Sequence, residues 1–75
     1  MATEVTIRPH HEGKREHARE IVRRLEAHLG HKSVEFDGGH RFEFHDDDRE
    51  RNAANLSGAL DLVAPDWREH IEMGL

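Results

Sequence analysis

The sequence predicts an α+β fold: a two-layer sandwich in β-α-β-β-α order, with a three-stranded mixed sheet and both helices on one face. Three observations carry this expectation. Residues 3–8 alternate around Val5 and Ile7, the period of a half-buried strand. Residues 14–29 place Ala18, Ile21, Val22, Leu25 and Leu29 on one stripe, the period of an amphipathic helix. Residues 33–36 and 41–44 alternate on either side of Asp37-Gly38-Gly39, the pattern of a β-hairpin.

Pro9 ends the first strand, because proline offers no N–H to a ladder. Gly13 is the expected N-cap of the first helix, with Glu16 three residues on as half of a capping box. Gly30 falls where a left-handed C-terminal cap is wanted. Glu20 and Arg24 form a well-oriented i,i+4 pair. In the hairpin, a three-residue loop sets Val34 opposite Phe42 and Glu35 opposite Arg41, so apolar meets apolar and charges match. Glu4, Thr6, Arg8, Glu35, Arg41 and Glu43 then form a wet outer face. Asp46, Asp47 and Asp48 open the second helix, Asp47 and Glu50 having the capping spacing. Ala53, Leu56, Ala59, Leu60, Val63, Trp67 and Ile71 hold one helical phase across Pro65. A helix to about Ala64 is expected, then a kink or a fresh helix from Pro65. Gly58 weakens that helix and leaves a strand over residues 58–63 as the alternative. Leu62 points off the stripe, as a surface leucine or a dimer contact.

Residues 1–75 are expected to form one small domain. Apolar content is 35% and charged content 36%, a lean core whose stability is marginal or shared with a partner. The absence of cysteine excludes disulfides and thiolate zinc sites. No stretch approaches the ~20 apolar residues of a membrane span, and Met1 to Arg8 lacks the apolar run of a secretory leader. The expected compartment is the cytoplasm, with no membrane partner. Residues 1–32 carry seven Lys/Arg against five Asp/Glu, and residues 33–75 carry four against eleven. Such asymmetry steers partners and orients self-association.

Eight histidines stand out in a chain of 75 residues. Their protonation moves the formal charge from -5 to about +3 around the usual histidine pKa, but a functional pH switch also needs a bistable element. Metal sites need three or four converging ligands. His17 and His28 lie about 16 Å apart along a helix. His28 and His31 are separated by a helix end, and His40 and His45 fall on opposite strand faces. His10 and His11, adjacent in a loop, are the only weak metal candidates, and no metal or other cofactor is expected. Arg15, Arg19 and Arg23 repeat at i, i+4, i+8, a spacing at which like charges mildly destabilise a helix and invite an acidic partner or phosphates. The wet sheet face carries no aromatic ladder for stacking bases. Asp46, Asp47 and Asp48 lack the spacing of a calcium loop and suit helix capping. Ser57 does not sit in a nucleophile elbow. His40, beside two glycines at a hairpin tip, is the one candidate acid or base.

The element order is similar to that of the DinI family of recombinase regulators. Glu4-Val5-Thr6-Ile7 in the first strand and an acidic, tryptophan-bearing final helix (Asp66-Trp67) resemble that arrangement. The likeness is one of order and composition, and it implies a small regulator with an acidic contact surface. The sequence as a whole points to a non-enzymatic protein-binding or regulatory module. Its expected contact surfaces are Arg15, Arg19 and Arg23 on one side and Asp46, Asp47 and Asp48 on the other, engaging a protein partner or a second copy as a homodimer. The alternatives are nucleic-acid binding through the first helix and histidine-based metal binding.

Overall fold

The structure is a computed structural model that describes residues 2–74. β1 (Thr3–Pro9) leads through a 3-10 turn (Glu12–Lys14) into α1 (Arg15–Leu29). A hairpin of β2 (Val34–Phe36) and β3 (Gly39–Phe44) follows, then α2 (Arg49–Val63), a second 3-10 turn (Trp67–Glu69) and β4 (Ile71–Gly74). The α+β class is as expected, but the sheet is four-stranded, in the order β2-β3-β1-β4. Every pairing is antiparallel, so the expected three-stranded mixed sheet is corrected.

The fourth strand replaces the expected final helix, and Pro65 supplies the reason. A residue before proline is pushed out of the helical region, and Ala64 is extended, with φ -152° and ψ 78°. Trp67 and Ile71 therefore reach the core without continuing a helix. Ile71 and Met73 stand two apart, the spacing of a strand, and Ile71 pairs with Pro9 and Met73 with Ile7. β4 thus satisfies backbone groups along the second edge of β1, which would otherwise be orphaned. Residues 58–63 are helical, not a strand.

The hairpin register also differs from expectation. Val34 pairs with Arg41, Glu35 with His40 and Phe36 with Gly39. Asp37 and Gly38 alone form the turn, one residue shorter than the expected loop, and a slip of one residue exchanges the two faces of a strand. Val34 and Phe36 consequently lie on the open face, 43% and 37% exposed, while Glu35 turns toward the helices.

Both helices pack on the other face around Val5, Ile7 and Phe42. α1 contributes Ala18, Ile21, Val22 and Leu25, and α2 contributes Leu56, Ala59 and Leu60. Gly30 closes α1 in the left-handed region at φ 66°. The first turn does not use Gly13 as its cap. Instead His11 Nδ1 accepts from the Gly13 N–H at 3.2 Å, opening the 3-10 turn ahead of α1. Asp48, not Asp47, caps α2, accepting from the Arg51 N–H at 3.0 Å. Leu62 is 73% exposed, off the stripe as expected.

Gly39 adopts φ 143°, and a Cβ there would overlap the Ile7 carbonyl oxygen. Its missing side chain lets β3 begin close against β1. Gly58, by contrast, faces open space. Gly39→Ala should lower unfolding free energy by about 2 kcal/mol or more, whereas Gly58→Ala should raise it by about 0.5–1 kcal/mol. Urea denaturation of the two variants checks both signs.

Candidate functional site

Arg15 and Arg19 sit one turn apart on the flank of α1 that overlooks the hairpin. Arg15 donates to the Asp37 carbonyl at 2.9 Å and stands 3.6 Å from Glu12. Arg19 donates to Glu35 Oε2 at 3.0 Å. This contact exists only because the register turns Glu35 toward the helix. Arg24 pairs with Glu20 at 2.7 Å, as its spacing predicts. Arg23 makes no ion pair among the described residues. Two members of the arginine stripe therefore pin α1 to the hairpin, and one is left to solvent.

Between α1 and the hairpin lies a groove of about 340 Å³ lined by Pro9, Arg15, Arg19, Glu35, Asp37 and His40 among others. His40 forms its floor, 8% exposed, in a cross-sheet row with Glu35, Ile7 and Met73. Burial pushes its pKa below the ordinary value near 6.5, and Arg19 lowers it further, against the opposing pull of Glu35 and Glu26. His40 is thus a neutral imidazole at neutral pH, with a carboxylate beside it. That pair is able to exchange hydrogen bonds with a bound group. No serine, threonine or cysteine lines the groove, and Glu35 is already held by Arg19.

Glu26 ties the end of α1 to the start of the hairpin. One of its carboxylate oxygens accepts from the Ser33 N–H at 2.7 Å and from the Ser33 hydroxyl at 2.8 Å. Burial alone would raise its pKa, but these bonds and the nearby His40 and Lys32 bring it below the ordinary 4.5.

The acidic trio serves local structure at the other end of the sheet. Asp46 Oδ1 accepts from the Asp48 N–H at 3.0 Å and from Asn52 Nδ2 at 2.7 Å. Buried Asn52 also donates to Thr3 Oγ1 at 3.1 Å. The Asn52 bond, then the Asp48 N–H and Arg51, hold the Asp46 carboxyl below its usual range. Asp48 is the helix cap, and Asp47 is exposed without a hydrogen bond among the described residues. Arg15 lies near the hairpin turn, whereas Asp46 to Asp48 follow the far end of β3 beside Thr3. The two expected contact surfaces do not meet.

Comparison with known protein families, curated proteins and solved structures returns no match.

Four of the eight histidines gather where β1 ends and β4 begins. His10 Nε2–H donates to the Arg68 carbonyl at 2.6 Å, and the His10 N–H donates to the His70 carbonyl at 3.0 Å. His11 turns away to cap the 3-10 turn. The sequence-adjacent pair is therefore divided between two structural roles. His17 of α1 stacks on His70, with ring centroids 3.8 Å apart and planes 16° from parallel. Lys14 Nζ donates to His70 Nδ1 at 3.0 Å, and His70 Nε2–H donates to Asp66 Oδ2 at 3.2 Å. That bond above all holds the Asp66 carboxyl below its ordinary value. Ligand atoms of His17, Asp66 and His70 lie within 4.8 Å of one another. The i,i+4 spacing of Asp66 and His70 was visible in the sequence; the arrival of His17 depends on how α1 packs. His31 stacks on Phe44 at 5.4 Å, and His28 and His45 are exposed.

His40 links stability to pH. The unfolded chain takes up a proton there near pH 6.5, while the folded chain keeps the ring neutral to lower pH. Its contribution to stability is full above about 6.5 and declines as pH falls toward the depressed folded value. In urea denaturation between pH 5 and 7, His40→Gln should flatten the dependence on pH relative to wild type. An equal slope in both proteins would contradict this account of the buried ring.

Proposed function

We propose that the chain is a non-catalytic protein-binding module that takes an extended segment of a partner protein along the free edge of β2. The observation that carries this reading is the register of the hairpin. It leaves a three-residue edge strand with every residue exposed and with two of the three exposed large apolar side chains among the described residues, Val34 and Phe36. An edge strand presents unpaired N–H and C=O groups, and a partner strand adds to them with alternate side chains on the two faces.

Chemistry on each face suggests what that partner carries. On the open face Val34 neighbours Arg41, whose Nε is buried, without a hydrogen bond, and 3.9 Å from Glu4. On the helix face Arg23 is free of ion pairs among the described residues, next to a smaller cleft shared with Arg19 and Glu26. The fitting segment is extended, apolar over Val34 and Phe36, and acidic toward Arg41 and Arg23. A second copy fits less well, because full overlap of two β2 strands sets one Glu35 opposite the other, and like charges directly opposite destabilise a pair.

Nucleic-acid binding through α1 has weaker support, since Arg15 and Arg19 are engaged with Asp37 and Glu35 and only Arg23 of the stripe is free for phosphates. A catalytic reading has the groove at His40 in its favour but lacks a lining nucleophile. A non-membrane, cytoplasmic setting remains part of the proposal. The described residues include no helix long and apolar enough to cross a membrane.

Selection from a displayed random-peptide library should enrich alternating apolar and acidic sequences. Their binding should protect the Glu35 amide, the one in β2 that faces the free edge, from hydrogen exchange, and Val34→Lys should weaken it about tenfold or more, the loss of roughly 1.4 kcal/mol. Selected peptides that bind Val34→Lys as well as wild type would remove β2 as the docking edge.

A further inference from the structure

We propose that His17, Asp66 and His70 form a site for one divalent cation of the zinc, nickel or copper class, which clips α1 to the C-terminal segment. Imidazole nitrogen and carboxylate oxygen are the ligands these borderline ions accept. Ligands on a tetrahedral ion, each at about 2.0–2.1 Å, stand about 3.4 Å apart. The three side chains already lie within 4.8 Å of one another, and His70 Nε2 is 3.2 Å from Asp66 Oδ2, so the remaining closure, of at most about 1.4 Å, falls to His17. His17 and Asp66 are exposed and free to turn, while His70 is the anchor, its side chain only 13% exposed. Its backbone is held by the bond from His10 N–H to the His70 carbonyl. Stacked rings hold their lone pairs parallel, so loading requires His17 to rotate out of the stack toward Asp66. Exposure on one side leaves a coordination position for water or an external ligand.

Lys14 makes this site distinguishable from ordinary surface histidines. Without an ion, Lys14 donates to His70 Nδ1, and His70 Nε2–H donates to Asp66. An ion between Nε2 and Asp66 takes the place of the Nε2 proton. That proton passes through solvent to Nδ1, which can then no longer accept from Lys14, and the ammonium turns away. Lys14 therefore competes with the cation, both by its charge and by the tautomer it holds. His10 and His11 have no part in the site, their rings being committed to the Arg68 carbonyl and the Gly13 N–H.

The test is calorimetric titration of the full, tag-free chain with zinc, and then nickel, alongside melting temperature with and without metal. Expected are one ion per chain and a metal-dependent rise in melting temperature. His17→Ala and Asp66→Asn, at exposed positions that leave the fold intact by circular dichroism, should each weaken binding at least tenfold. Lys14→Met should strengthen it several-fold, and His10→Ala with His11→Ala should leave it unchanged. The proposal is overturned by the absence of stoichiometric binding, by binding lost only in the His10 and His11 variant, or by weaker binding in Lys14→Met.

Discussion

β1 is hydrogen-bonded along both edges, to β3 on one side and β4 on the other, and its core residues Val5 and Ile7 have no solvent exposure. Both helices rest on that strand. Its approach to β3 depends on the bare backbone of Gly39, which lies against the Ile7 carbonyl. The groove floor is an extension of the same contact, because Ile7 pairs with His40 and His40 with Glu35. The histidine cluster is set by the other edge, where Pro9 pairs with Ile71 and the His10 N–H reaches the His70 carbonyl. Two chemically distinct regions thus take their geometry from the last few residues of one strand.

The parts of this fold that were legible in the sequence are those decided within a few residues. The stripe of α1, its Gly30 cap and the Glu20–Arg24 pair depend on helical spacing alone, and all three are present. The alternation of β1 placed Val5 and Ile7 correctly. Two features escaped because their causes are not local. The hairpin register turns on whether two or three residues form the loop, and Asp37-Gly38-Gly39 suits either; the apolar pairing of Val34 with Phe42 favoured the wrong one. In the last segment, Trp67 and Ile71 carry a helical spacing that reflects a shared destination in the core, not a shared helix. Only the unpaired edge of β1, a tertiary fact, explains why residues 71–74 are extended.

The candidate sites were legible as residue types but not as groupings. Arg15 and Arg19 look like a free basic surface until Glu35 and Asp37 are brought under them. Asp46 and Asp48 were legible as helix-opening carboxylates, and their oxygens do bond the start of α2 and Asn52. His10 and His11 are neighbours in sequence whose rings part, while His17 and His70 are distant in sequence and stack. The helical position of His17 was read correctly, whereas His70 was expected on a final helix and instead precedes β4.

The pairing of β1 with β4 has a consequence for the order of events during synthesis. The first strand of the sheet has no neighbour on one edge until residues 71–74 have emerged to pair with it. A nascent chain in that condition holds two helices and three strands with an open, hydrogen-bonding edge in the middle of what will be its sheet. Completion waits for the contact of longest sequence separation, the slow kind. Until that contact forms, the half-made domain carries an unpaired strand edge of the kind that makes incomplete chains prone to aggregate.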